Sequence, residues 1–332
     1  MPLKKRKILC SAEDPAKEFV SADFCAKNEK LLVTMSAKSE ARVIIWNWDK
    51  QRVISFIDLH IPRHHSVEQV SFSTVDPSVV VITGEETYLF YKLDGSNFKI
   101  QHSKLNIRET DEHLSKNYTC HAWLHDSRFV ICNDQGQIFL LDQHGEFKGI
   151  TIGDPRKDPF PITAITVFSG VSNEAAGGAA AGQANKQKGQ SGFIVAGESG
   201  RIRVFVRSDS DPKKPFARVD TSDDLFPAPE HYLKDKDSAV VYNDIDIQKT
   251  TAISLSPSED VIVFTTSNNQ IIKVPIELER PNGDQRYEHL ISSFHSKQIH
   301  GLDVCIKKEL VATCSSDRTV RLWSYTTQNM FR

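Results

Sequence analysis

The sequence predicts an all-β fold built from repeated four-stranded sheets, and three observations predict it. Apolar and polar residues alternate over short runs bounded by Gly, Pro, Asn, Asp and Ser, with almost no 3.6-residue periodicity. The runs group into units of about 40–50 residues carrying four strands each. The third observation is near the C-terminus. After His295 come an alternating run through Ile299, Leu302 and Val304, an apolar run Leu310-Val311-Ala312-Thr313-Cys314-Ser315, a polar turn Ser316-Asp317-Arg318, and Val320-Arg321-Leu322-Trp323. That order of His, strand, strand, Asp turn, strand and Trp is the signature of a WD-repeat β-propeller blade. In such a blade His295, Thr313 (or Ser315), Asp317 and Trp323 hydrogen-bond in series, so that each polar group buried between strands has a partner.

The first unit runs from Phe19 through Leu31–Ser36, Arg42–Trp48 and Arg52–Leu59. The second has Val67–Phe72, Val79–Thr83, Thr87–Leu93 and Phe98–Leu105. The third has Tyr118–Trp123, Arg128–Asn133, Gln137–Asp142 and Phe147–Ile152, with Asn133-Asp134-Gln135-Gly136 as a hairpin turn. Ile162–Phe168, Gly192–Gly197, Arg201–Arg207 and Phe216–Asp220 form the fourth. Thr251–Leu255, Val261–Thr266, Gln270–Glu277 and Tyr287–Phe294 form the fifth. The sixth supplies three strands before Arg332.

A three-stranded blade leaves an open edge. Either Lys5–Cys10 adds as its outer strand, or the chain is a fragment. Two stretches break the strand pattern. Residues 169–191 are rich in Ala and Gly and read as a disordered surface loop. Residues 208–242 are charged and contain Pro, and read as a long excursion; Ala239–Ile247 has strand character without a place in a sheet. The whole, residues 1–332, reads as a single propeller or part of one.

Composition narrows the function. With a net charge of −2 the chain has no global field favouring nucleic acid or an anionic membrane. No apolar run approaches the ~20 residues that cross a bilayer. The six cysteines are scattered without C-x-x-C spacing, which suits reduced thiols. His60, His64 and His65 lie in a polar loop without ligand spacing, and His121 and His125 are too far apart along a strand and its turn to share zinc. Gly197-Glu198-Ser199-Gly200-Arg201 lacks the Lys-Ser/Thr ending of a phosphate loop and reads as a turn. The basic run Lys4–Lys7 reads as edge-strand protection rather than a nuclear-localisation signal. Asp223, Asp224, Asp235 and Asp237 read as solvated, and Trp46, Trp48, Trp123 and Trp323 as strand residues packing between blades. No catalytic, cofactor-binding or metal-binding constellation emerges, and the chain reads as a non-enzyme that takes no cofactor or small-molecule substrate.

The run from His295 to Trp323 resembles the cilia- and flagella-associated protein 57 family of axonemal WD-repeat proteins. Lys5-Arg6-Lys7-Ile8-Leu9, Trp48-Asp49-Lys50-Gln51-Arg52-Val53, Gln69-Val70-Ser71-Phe72-Ser73 and Leu255-Ser256-Pro257-Ser258-Glu259 match it in the same order. The resemblance implies a tandem-propeller N-terminal half followed by a long coiled coil, location in the axoneme of cilia and flagella, and axonemal partners of the inner dynein arm or associated complexes. This chain carries no heptad segment, and on that comparison it is a partial chain. The expected function is a scaffold; the competing expectation is a generic cytosolic WD-repeat adaptor for a multiprotein complex.

Overall fold

The computed structural model describes residues 7–9, 18–37, 41–62, 64–106, 114–153, 158–170, 191–198, 200–208, 211, 215–219, 249–267, 269–275, 288–290, 295, 297–298, 299–327 and 330–331. They form six four-stranded sheets in which strands consecutive in sequence are neighbours in space. The first contains β1 (Phe19–Phe24), β2 (Leu31–Ser36), β3 (Arg42–Asn47) and β4 (Arg52–Asp58). The second contains β5 (Val67–Phe72), β6 (Val79–Gly84), β7 (Thr87–Asp94) and β8 (Asn97–His102). The third contains β9 (Tyr118–Trp123), β10 (Phe129–Asn133), β11 (Ile138–Leu141) and β12 (Phe147–Ile152). The fourth contains β13 (Ile162–Phe168), β14 (Gly192–Gly197), β15 (Ile202–Arg207) and β16 (Phe216–Arg218). The fifth contains β17 (Thr250–Leu255), β18 (Val261–Thr266), β19 (Ile271–Pro275) and β20 (Glu288–His289). The sixth contains β21 (Ile299–Cys305), β22 (Leu310–Ser315), β23 (Val320–Ser324) and β24 (Met330–Phe331). The chain divides into two compact units, Met1–Ile162 with Ser210–Lys214, and Thr163–Asp209 with Pro215–Arg332.

One turn recurs between second and third strands. In the third to sixth sheets Gly136, Gly200, Asn269 and Arg318 each donate a backbone N–H to the residue three positions back: Asn133, Gly197, Thr266 and Ser315. All four take positive φ, 87°, 72°, 56° and 65°. Two glycines and an asparagine suit that conformation; Arg318 holds it without such a preference. At Gly136 the requirement is also steric, because a Cβ there would lie 2.5 Å from the Phe160 carbonyl oxygen.

Central strands are buried on both faces. Val79–Gly84 is buried throughout, as are Phe129–Asn133 and Gly192–Gly197, and these read as continuous apolar runs rather than alternation. In the first unit Val33, Met35, Val43 and Ile45 pack with Val70, Phe72, Val80 and Ile82, joining the first sheet to the second. Val81, Tyr88 and Phe90 pack with Trp123, Phe129 and Phe139, joining the second to the third. In the second unit Phe168, Ile194, Ile202 and Val204 pack with Ile262, Phe264, Ile272 and Val274, joining the fourth to the fifth.

The sixth sheet corrects the expected count. It has its own fourth strand: β24 pairs antiparallel with β23, Leu322 opposite Phe331 and Trp323 opposite Met330. Lys7–Leu9 is not that strand. Lys7 makes an ion pair with Asp49 at 2.7 Å and sits over the Trp48 ring, while the Gln51 side chain donates to the Ile8 carbonyl. Lys7 and Ile8 thus lie against the β3–β4 turn. Two residues are too few for a period-two signal, which is why β24 escapes the sequence. The sixth sheet is also apolar and exposed on both faces. Leu302 and Val304 lie on one, Val320 and Leu322 on the other, with Val320 72% exposed.

Of the Ala/Gly-rich stretch, residues 171–190 lie outside the described residues. Its entry is held: Glu259, in the β17–β18 turn, accepts from the Ser169 and Gly170 backbone N–H groups and from the Ser169 hydroxyl at 2.8–2.9 Å. Residues 220–248 lie outside as well, and with them Ala239–Ile247 and the four aspartates Asp223, Asp224, Asp235 and Asp237.

Candidate functional site: two buried histidine networks

The C-terminal network is built on the sixth sheet. Thr313 on β22 and Trp323 on β23 flank the turn that carries Asp317, while His295 precedes β21. The Trp323 indole N–H donates to Thr313 Oγ1 at 2.7 Å, and Thr313 Oγ1 lies 2.8 Å from His295 Nε2. His295 Nδ1 lies 2.9 Å from Asp317 Oδ2. One assignment of protons satisfies the series: indole to hydroxyl, hydroxyl to Nε2, and Nδ1–H to carboxylate. Asp317 is committed further, since its Oδ1 accepts from the Thr319 backbone at 3.0 Å and the Thr319 hydroxyl at 2.7 Å. Ser315 stands outside the series and donates to the Lys297 carbonyl.

Hydroxyl, imidazole and carboxylate in line have the layout of a nucleophilic triad, but the surroundings do not serve attack. Thr313 and His295 are buried, and the hydroxyl already accepts the Trp323 N–H. A nucleophile needs room for a carbonyl carbon beside it and donors for the developing oxyanion. The hydrogen bonds join the Asp317 turn, through His295, to Thr313 on β22.

A second histidine network, centred on His121, whose spacing to His125 does not suit a shared zinc, lies between the second and third sheets. His121 on β9 is buried, with Nε2 2.7 Å from Ser71 Oγ on β5 and Nδ1 2.8 Å from Thr83 Oγ1 on β6. The Trp123 indole N–H donates to the same Ser71 oxygen at 3.2 Å. Gln69 grips the His121 backbone from both sides, donating to its carbonyl at 3.0 Å and accepting from its N–H at 2.8 Å. Burial pushes the imidazole pKa down from 6.5 to about 3, so the ring is neutral at physiological pH. The sequence signal was present: Gln69 and Ser71 are polar at alternate positions, one face of a strand whose ends, Val67 and Phe72, are apolar.

The first-to-second sheet junction repeats the device with other residues. The Val70 backbone N–H donates to Ser21 Oγ at 3.1 Å, and the Phe72 backbone N–H to Asp23 Oδ2 at 2.8 Å. Burial raises the Asp23 carboxyl pKa, and the backbone hydrogen bonds counter that shift. At the fourth-to-fifth junction, Thr163 Oγ1 donates to the Thr250 carbonyl at 2.6 Å.

The remaining candidates are dispersed. His64 and His65 stack edge to face at 4.3 Å and His65 lies 3.7 Å from Glu86, while His60 is exposed nearby. Among the described residues no three His, Cys, Asp or Glu side chains are grouped to hold a metal. Residues Gly197 and Gly200 form a strand-to-strand turn. Trp46 and Trp123 are buried strand residues, whereas Trp48 belongs to the β3–β4 turn and donates to the Glu29 carbonyl, a correction to its expected strand placement.

No family model matches the chain. It is similar along its length to three curated proteins. Cilia- and flagella-associated protein 57 of Mus musculus is 26% identical over 350 residues, covering 98% of this chain and 26% of the mouse protein. Cilia- and flagella-associated protein 57 A of Tetrahymena thermophila is 27% identical over 328 residues, covering 96% and 22%. Its paralogue 57 C is 22% identical over 372 residues, covering 93% and 26%. Among solved structures, the β-propeller domain of Myceliophteria thermophila Cps50 (Swd1) aligns with a TM-score of 0.55 at 10% identity, covering 92% of this chain and 82% of that one. Chaetomium thermophilum Raptor aligns with a TM-score of 0.55 at 12% identity, covering 96% and 24%. These likenesses show the WD-repeat β-propeller fold and, over nearly the whole chain, similarity to cilia- and flagella-associated protein 57, about a quarter of whose length the chain spans.

Proposed function

We propose that the chain is a non-enzymatic WD-repeat scaffold of the ciliary or flagellar axoneme that helps assemble or position inner dynein arms. Residues 1–332 act as a single propeller or as part of one. The observation that carries this reading is similarity across nearly the entire chain, rather than in one repeat, to proteins named for cilia and flagella. The two histidine networks support it, because their polar groups are consumed in joining strands and sheets. A rigid array of sheets is suited to holding partners at fixed geometry, with affinity carried by loop residues.

The test is fractionation of demembranated axonemes, probed with an antibody raised against this chain. The expected result is a signal that resists salt washing, together with altered beating and misplaced inner dynein arms in a null mutant. Signal confined to soluble cytoplasm, in cells with and without cilia, overturns the reading in favour of a generic cytosolic adaptor.

A further inference from the structure

Two turns in this chain are built alike and differ at one side chain. In the third sheet the Asn133 backbone N–H donates to the Gln137 carbonyl, and the Asn133 carbonyl accepts the Gly136 N–H. In the fifth the Thr266 N–H donates to the Gln270 carbonyl, and the Thr266 carbonyl accepts the Asn269 N–H. Gly136 and Asn269 both take positive φ, and a glutamine follows each. Asn133 serves its glutamine twice: Nδ2 donates to Gln137 Oε1 at 2.8 Å, and Oδ1 accepts the Gln137 backbone N–H at 2.8 Å. Thr266 has a hydroxyl and a methyl in place of that amide. Gln270 Oε1 receives no donor among the described residues.

That amide oxygen is one of three such atoms in a row. Thr250 on β17 stands opposite Thr266 on β18, and Thr266 opposite Gln270 at the entry to β19. Opposed residues share a face of the sheet. The three are 0%, 3% and 6% exposed, and the Thr250 and Thr266 hydroxyls also have no partner among the described residues. Two positions along the same strands, Phe264 and Ile272 pack with Ile194, Ala196 and Ile202 of the fourth sheet. The row therefore closes one end of the fourth-to-fifth junction, where the Thr163 hydroxyl also reaches the Thr250 carbonyl. Left dry, each of the three groups would cost about 1–3 kcal/mol. Opposed side chains stand about 4.5–5.5 Å apart at Cβ, a gap that one molecule bonding at about 2.8 Å on each side can span.

We infer that the row binds one buried water molecule between the fourth and fifth sheets, held by Thr250 Oγ1, Thr266 Oγ1 and Gln270 Oε1. The amide oxygen only accepts, so the water donates one proton to it. Its second proton goes to one threonine oxygen, and the other threonine hydroxyl donates to the water. Three bonds are the usual complement of a buried water. None of the three groups is charged, so the row suits a neutral hydrogen-bonding molecule better than a hard cation, which favours carboxylates. The second and third sheets are joined through a side chain, His121; the fourth and fifth are joined at this end through solvent.

The experiment is a crystal structure of the full chain showing its ordered solvent, for the parent and for Thr266→Asn, with thermal melting of both and of Thr266→Val. The parent is expected to show one solvent peak within hydrogen-bond distance of all three groups. In Thr266→Asn the new amide should displace that peak and reach Gln270 Oε1, as Asn133 reaches Gln137 Oε1. Thr266→Val takes a partner from the bound water and should lower the melting midpoint by about 2–4 °C. In a dry row the same change would remove an orphaned hydroxyl and raise the midpoint. A parent without solvent density in the row overturns the proposal, as does a side chain of the chain itself bonded to the three groups, or a raised midpoint in Thr266→Val. The parent density decides the matter even if Thr266→Val does not fold.

Discussion

Two buried histidines in this chain each sit beside a hydroxyl and a tryptophan, and they do different work. His295 lies in the sixth sheet's own network and has a carboxylate, Asp317, at 2.9 Å. His121 lies between two sheets, with a second hydroxyl, Thr83, where His295 has its carboxylate. The first arrangement ties a turn to its sheet. The second replaces part of the apolar contact between sheets with a polar one, and the absence of a charge there keeps desolvation small. Gln69 adds a pair of bonds to the His121 backbone that resembles a rung of a β-ladder between inner strands. A WD-type motif in the sequence thus marks closure within a sheet, while the junction between sheets is carried by residues outside the motif.

The comparison is broken most severely by His121→Leu. It removes the His121 partner of both the Ser71 and Thr83 hydroxyls in a buried site, leaving Ser71 with the Trp123 N–H, and each lost buried partner costs about 1–3 kcal/mol. The expected loss is about 3–5 kcal/mol in urea unfolding of the chain. A loss below about 1 kcal/mol would mean that the junction is held by its apolar residues alone.

Acid should act on the same group. The unfolded chain takes up a proton on this imidazole near 6.5, and the folded chain only near 3. Between those values the unfolded state binds more protons, so the contribution of His121 is complete above 6.5 and is lost as pH falls. The expected slope is about 1.4 kcal/mol per pH unit within that window. His121→Leu should flatten it, and an unchanged slope in the variant would assign the acid sensitivity to other groups.

Much of this was legible. The strands of the first three sheets fall within a few residues of their predicted bounds because polar turn residues bracket short runs, alternating at the sheet margins and continuously apolar in central strands such as Val79–Gly84. What escaped was contact between sheets. Gln69 and Ser71 lie two apart on one face of β5, and a polar face read from sequence does not say whether water or another sheet covers it. His121 was judged for metal binding from its spacing to His125, whereas its partners lie 38 and 50 residues away in sequence. The turn Asp317 and its tetrad were visible because the four residues fall within one unit. The pair of residues forming β24 carried no pattern to read.

Thr313→Val sharpens the comparison from the other side. The substitution keeps the shape and removes the oxygen shared by Trp323 and His295. The buried His295 Nε2 loses its partner and the part-buried Trp323 N–H loses its acceptor, and the expected cost is about 1–3 kcal/mol. Hydrogen exchange should quicken across 299–324 and stay unchanged across 118–133. Quickening in both regions would show that the two networks belong to one cooperative unit.

The smallest effect is expected at Lys7. Its ammonium pairs with Asp49 and lies 5.3 Å from the Trp48 ring centroid, but both ends of the pair are solvent-exposed enough for water and salt to screen them. Lys7→Ala should leave the melting midpoint where it is and alter only the fluorescence of the β3–β4 turn tryptophan. The result bears on the sixth sheet as well. If residues around Lys7 supplied that sheet's outer strand, disturbing them would expose an edge and lower the midpoint clearly. With β24 already in that place, the sixth sheet has no need of them, and a silent Lys7→Ala is what its four-stranded order requires.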